Sequence, residues 1–298
     1  MNVDSPTDRA FARALAALAV AGGLVVGAAA AGALGGGAGA VLGLLLGLAL
    51  ARILGRRSRR RRAVLARPFP EPWRRILEER YDHFDRLSPE LRRRFEDDVR
   101  IFLAEKRITG VEVEVTDELR LLVAASAVTL SLGWPPYEWD QLTEVLLYPD
   151  DFDRDYNFGG AERAGETHAW GSIILSVPTL EESFDDPDDA YHVGLHEFAH
   201  LLDVDHSHFD GIPPGLDAAR GATWVTLAEK EMDRLRRGRS VIDPYGAHDP
   251  VEFLAVAVEA FFEAPLALRR RHRELYTLLA HYFVQDPAAW DDERGLQE

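Results

Sequence analysis

Residues 196–200 of this 298-residue chain read His-Glu-Phe-Ala-His. Side chains four apart lie on one face of a helix, so His196 and His200 can turn imidazole nitrogens toward a single ion only if the segment is helical. Glu197 then sits one step round the helix, close enough to hold and deprotonate a water without being a ligand. Asp188 and Asp189 favour a helix start, and Val193, Leu195, Phe198, Ala199, Leu201 and Leu202 supply the apolar surface. This is the His-Glu-x-x-His arrangement of zinc hydrolases. A buried helix that happens to carry two histidines reads the same over five residues, so the remaining sequence has to decide.

The absence of cysteine excludes disulfides, a Cys-ligated metal and a Cys nucleophile. Charge is unevenly placed. Residues 1–67 hold ten Arg against Asp4 and Asp8, a net of +8, while the whole chain carries −16, which leaves −24 on residues 68–298. Phosphate contacts need a basic face, so an acidic body argues against a nucleic-acid partner.

Ala14 to Ala51 contains no charged residue over 38 positions. A single membrane span needs about 20 apolar residues. The run predicts two spans, 14–33 and 38–54, with Gly35-Gly36-Gly37 near the turn. Arg9 and Arg13 precede it and the Arg56–Arg62 cluster follows, which places both ends in the cytoplasm. The expectation is a transmembrane helical hairpin in the inner membrane, residues 1–67 forming the anchor with a basic juxtamembrane segment against lipid headgroups. Residues 68–290 would then face the cytoplasm, with 291–298 as a tail. Arg9, Arg13 and Ala28-Ala29-Ala30 also fit a cleaved signal peptide.

After the stiff Pro68, Pro70, Pro72 linker, residues 73–86 and 89–106 read as amphipathic helices, the second capped by Ser88 with Pro89 first. Val111, Val113 and Val115 alternate with Glu112 and Glu114 as a short half-buried strand. Thr116-Asp117 starts a helix through Ala127, and Leu142 to Tyr148 is strand-like before an acidic loop. Gly171 to Val177 is a second clear strand, closed by Pro178. An extended peptide could pair with a strand bordering the cleft, or this strand is ordinary core. Helices follow at about 220–237, from Asp249-Pro250 to Glu263, and at about 266–284.

Two histidines do not complete a catalytic zinc site, which usually has three protein ligands. There are three candidates for the third. His206 falls where the pattern HExxHxxGxxH places its last histidine, but Asp203 stands where that pattern needs Gly. Glu252 and Glu259 are seven apart, on one helix face. Glu259 sits among apolar residues, where a carboxylate is costly unless paired or bound to metal. Glu252 has capping-box spacing from Asp249 and could simply bond back to the cap. Local chemistry slightly favours Glu259. Asp203, on the ligand face, could fix the tautomer of a ligand imidazole, or be a loop aspartate; His192 reads as a rim or surface residue.

The segments VTDELRLLVAASA, GETHAWGSIILS, HEFAHLLD with the following DGIPP, YGAHDPVEFLAVAVEAFFEAP and LYTLLAHYFVQDP together resemble the zinc-dependent peptidases of the Mlc titration factor A family, over about residues 68–290. That family is in turn similar to the catalytic domain of anthrax lethal factor. The resemblance implies an α+β, zincin-like domain, mainly helical with a small mixed sheet. It implies Zn²⁺ held by His196, His200 and Glu252, Glu197 as general base to a zinc-activated water, and Tyr245, seven residues before Glu252, as hydroxyl donor to the oxyanion. Glu259 becomes a supporting carboxylate. The substrate would be a peptide or protein. The alternative is a regulatory binding protein that sequesters a protein partner such as a transcriptional repressor, with the zinc site structural.

Overall fold

The computed structural model describes residues 36–153, 156, 163–204, 209–238 and 240–290, together with 17, 21–23, 25–26 and 28–29. The chain divides into two compact units, Met1–Pro68 and Phe69–Glu298. In the first, α1 (Gly36–Leu54) is followed by α2 (Arg56–Leu65).

No helix among the described residues is long and apolar enough to cross a membrane. The expected span 14–33 lies mainly outside the described residues. Where 38–54 was expected to span, α1 carries Arg52 in its last turn. The uncharged part of α1, Gly36 to Ala51, rises only about 24 Å at 1.5 Å per residue, short of a hydrocarbon core of roughly 30 Å. The transmembrane hairpin, and with it the inner-membrane location and the membrane as a partner, is therefore corrected.

The second unit is α+β, mostly helical with one small mixed sheet. Its elements are α3 (Glu71–Arg80), α4 (Asp82–Arg86), α5 (Pro89–Glu105), β1 (Arg107–Gly110), α6 (Asp117–Ser131), β2 (Glu144–Tyr148), β3 (Gly165–Thr167), β4 (Ser172–Ser176), α7 (Val177–Asp185), α8 (Val193–Asp203), α9 (Ala218–Leu235), a 3₁₀ turn at Pro244–Ala247, α10 (Pro250–Glu263), α11 (Pro265–Arg271) and α12 (Arg273–Phe283). The sheet order is β1-β2-β4-β3. β1, β2 and β4 run parallel, and β3 pairs antiparallel with β4 at the edge, Gly165 opposite Leu175 and Thr167 opposite Ile173.

Side-chain caps set several helix starts. Ser88 accepts from the Leu91 N–H, Thr116 from Leu119, and Asp217 from Arg220. The strand expected at 111–115 is instead Arg107–Gly110, because Glu112 at φ 60 turns the chain out of extended conformation. The helix expected over 73–86 breaks at Tyr81, whose buried hydroxyl meets that of Thr129. That over 266–284 breaks at His272, whose Nδ1 lies 2.6 Å from the buried Glu231 carboxylate. Each break sets a side chain against a buried polar group of another helix. Pro178 does not merely close β4; it lies in the first turn of α7.

The core centres on α6 and α10, which are buried on nearly every face, as helices apolar all round must be. α8 packs against both and against β3 and β4. Its approach to α6 requires Gly194, since a Cβ there would collide with the Ser126 hydroxyl. Phe198, on the side of α8 away from the histidines, is fully buried among Phe102 and Trp139. Burying such a side chain is worth about 1.5–3 kcal/mol, which holds α8 in place.

Candidate metal centre

α8 begins at His192, not at the two aspartates. The His192 imidazole Nδ1 accepts from the Leu195 N–H at 3.2 Å, while Asp189 accepts from the Tyr191 N–H just upstream. His192 was expected on the rim or surface but is 1% exposed, and burial pushes its pKa down to about 3. A ring used as a helix cap and packed edge-on to Phe184 has to stay neutral.

One turn on, His196 and His200 present Nε2 atoms 3.0 Å apart. Glu252, in the first turn of α10, brings Oε2 to 3.2 Å from His196 Nε2 and 3.5 Å from His200 Nε2. One ligand atom from each of the three residues lies within 4.8 Å of the others. The capping-box alternative for Glu252 fails. Asp249 caps α10 by accepting from the Val251 and Glu252 N–H groups at 2.8 and 3.0 Å, while the Glu252 carboxylate turns to the histidines. Burial would raise the Glu252 pKa, but hydrogen bonding to His196 and then His200 holds it well below the usual range.

Glu259 lies two turns along α10 and is 1% exposed. Its Oε1 is 2.6 Å from His196 Nδ1, and its Oε2 accepts from the His192 N–H at 2.7 Å. With Nδ1 donating to that carboxylate, the Nε2 lone pair of His196 is left facing His200 and Glu252. Burial alone would depress the His196 pKa, but the charge of Glu259 and the bonds to Glu252 and Glu259 raise it well above the ordinary value.

These observations test the fit to a metal. Two imidazole nitrogens and a carboxylate oxygen converge, with one imidazole already tautomerically committed. Donor atoms held this close need a positive charge among them, a shared proton or a metal ion, and a His₂Glu donor set suits zinc. The arrangement could hold a divalent ion. His200 Nδ1 is buried without a hydrogen-bond partner among the described residues. Of the two readings left open for Asp203, the structure shows the loop contact: it accepts from the Gly211 N–H at 2.9 Å, and burial and the neighbouring Asp210 carboxyl push it up to about 7. Glu259 occupies the orienting role. His206 lies outside the described residues.

Glu197 is 4% exposed beside this cluster. The Thr167 hydroxyl on β3 lies 2.7 Å from Glu197 Oε2 and 2.9 Å from its backbone carbonyl. Burial pushes the carboxyl above its usual range, offset in part by His196, His200 and Thr167. Tyr245 stands on the 3₁₀ turn, its N–H bonded to Asp243 at 2.7 Å and its ring 6.3 Å from that of His196. It is 51% exposed.

All six of these side chains (His196, Glu197, His200, Tyr245, Glu252 and Glu259) line one cavity of about 480 Å³. Its other wall is β3 with Arg163 and Ala164, joined by Tyr191 and Val193. The cleft-bordering strand is thus the edge strand β3, not the Gly171–Val177 segment, whose strand β4 lies inside the sheet. Sequence reasoning missed Gly165, Thr167 and Tyr191. The GETH segment reads as the end of an acidic loop, and three residues are too few to show alternation.

The family described as glucose-regulated metallo-peptidase M90 matches residues 55–284. An uncharacterized protein of Synechocystis sp. is 34% identical over 248 residues, covering 76% of this chain and 89% of its own length. Proteins named Mlc titration factor A are also similar. That of Klebsiella pneumoniae subsp. pneumoniae is 29% identical over 217 residues, covering 66% of this chain and 80% of its own, and that of Edwardsiella ictaluri is 30% identical over 211 residues, covering 65% and 77%.

Proposed function

Since the chain belongs to the glucose-regulated metallo-peptidase M90 family, we propose that it is a zinc-dependent peptidase with a zincin-like active site in the cavity between β3, α8 and α10. The observation that carries the proposal is the convergence of His196, His200 and Glu252 beside a buried glutamate that is not part of the donor set. A purely structural site has no use for Glu197.

His196, His200 and Glu252 would hold zinc. When bound, zinc would supply Lewis acidity, lowering the pKa of water and polarising a peptide carbonyl. Glu259 keeps the His196 lone pair aimed at the donor cluster. Glu197 accepts the proton of the attacking water and returns it to the leaving amine. The Tyr245 hydroxyl donates to the oxyanion that develops on the carbonyl oxygen. Tyr191, Val193 and Val256 contribute uncharged surface to the lining of the cavity.

A second reading, a regulatory protein that holds a protein partner, is favoured by the name of the Mlc titration factor A relatives. The test is metal analysis of the full chain followed by incubation with a mixture-based peptide library, with Glu197→Gln as control. Zinc at one equivalent with peptide cleavage that Glu197→Gln abolishes supports the peptidase. Zinc binding without cleavage of any library member favours the binding reading.

A further inference from the structure

We propose that β3 is the positioning element for the general base, with Thr167 fixing the orientation of the Glu197 carboxylate and Gly165 keeping open the space it occupies. The proposal rests on the reading of Glu197 as the base. Thr167 Oγ1 touches Glu197 at two ends, lying 2.7 Å from carboxylate Oε2 and 2.9 Å from the carbonyl oxygen of the same residue. The one hydroxyl hydrogen is shared between or alternates over these two acceptors, and holding both ends of Glu197 near one atom restricts the rotamers of a residue with three rotatable bonds. Donation to an ionised carboxylate is also the stronger kind of hydrogen bond. Among the described residues this is the carboxylate's one hydrogen-bond donor, and it engages Oε2. Oε1 accepts no hydrogen bond among the described residues and lies against Gly165.

Gly165 completes the arrangement by what it lacks. A Cβ built there would lie 2.5 Å from Glu197 Oε1, 2.7 Å from Cγ and 2.8 Å from Cδ. Its backbone is not in the left-handed region, so the backbone conformation does not demand glycine; the glutamate does. Both residues are pinned to the sheet, Gly165 opposite Leu175 and Thr167 opposite Ile173, and the His168 N–H donates to the Ser172 carbonyl at 2.9 Å. The position of the base relative to α8 is thus referred to an element outside α8. Displacing a reacting group by about 1 Å can cost on the order of 100-fold in rate.

The test uses the full chain loaded with zinc, a library peptide cleaved by the wild type, and the variants Thr167→Val, Thr167→Ser and Gly165→Ala. Thr167→Val keeps the shape and removes the donor. It is expected to retain one equivalent of zinc, to lower kcat by about 10- to 100-fold and to leave KM within about twofold. Thr167→Ser should recover most of kcat, which a merely structural role of the threonine methyl would not produce. Gly165→Ala should lower kcat at least as far; if it does not fold, the Thr167 pair decides. A crystal structure of zinc-loaded Thr167→Val should show Glu197 in a new rotamer or in several. Wild-type kcat in Thr167→Val while Glu197→Gln is inactive overturns the proposal and leaves the base assignment standing. Turnover by Glu197→Gln at the wild-type rate overturns that assignment instead, and the Glu197 rotamer in Thr167→Val then decides the positioning alone.

Discussion

Glu259 Oε1 accepts the Nδ1 hydrogen of His196 at 2.6 Å, on the side of the imidazole opposite the donor cluster. The same carboxylate accepts from the His192 N–H, so α10 is bolted to the first turn of α8 through one buried side chain. A ligand imidazole held this way is more basic and cannot flip. Glu259→Gln is therefore expected to weaken zinc binding by about 10- to 100-fold, read by competition with a chromophoric chelator. An unchanged zinc affinity would show that Glu259 serves stability alone.

Glu252→Ala should weaken zinc binding far more, by orders of magnitude, because it removes a donor and not its support. Asp249→Ala separates this from capping. It removes the acceptor for two N–H groups of α10 and should cost about 1 kcal/mol of stability while zinc stays bound. His206→Ala is expected to keep zinc. Metal stoichiometry beside a melting curve for each variant checks all three, and full zinc occupancy in Glu252→Ala would remove it from the donor set.

Glu197→Gln preserves shape and leaves the three donors in place. Zinc content should match the wild type, and turnover should fall by about 10²- to 10⁴-fold, the usual contribution of a general base. Near-normal turnover in this variant would exclude Glu197 from that role.

A second buried carboxylate gives a pH-dependent outcome. Glu263 is 6% exposed on α10; burial first, then Asp189, Glu259 and Asp188 push its pKa up to about 10, against the opposing charge of Arg86. The folded pKa lies above the unfolded value of 4.5, so the folded state holds this proton more tightly. Its stabilising contribution is complete below about pH 4.5 and is lost as pH rises toward 10. Glu263→Gln mimics the protonated form. It should match the wild type in melting temperature near pH 4 and exceed it near pH 8, the stability difference there being on the order of a few kcal/mol. Equal melting curves at both pH values would mean that Glu263 finds a charged partner.

The local sequence determines a good deal of this protein, because its strongest signals act over a single turn. Four-residue spacing puts His196 and His200 on one face of α8. Ser88, Thr116 and Asp249 cap the helices they precede, since a cap bonds to an N–H two or three residues away. The chain segments that make the family recognisable are likewise local.

What only the tertiary structure decides is which distant group meets which atom. Glu252 and Glu259 both face α8, as their seven-residue separation requires, and local chemistry slightly favoured Glu259 as the third ligand. The crossing of α8 and α10 brings Glu252 to His196 Nε2 and Glu259 to Nδ1, on opposite sides of one ring. The choice depends on where along their axes two helices touch, which side chains packed elsewhere determine. Gly165 and Thr167 were invisible for the same reason. Their value lies in a contact with Glu197 some thirty residues on, through a strand of three residues whose pairing with β4 no local pattern announces. The uncharged N-terminal run shows the converse. Its composition satisfied a membrane rule, but the helix described there carries Arg52 in its last turn, and length along an uninterrupted helix is a property of structure, not of composition.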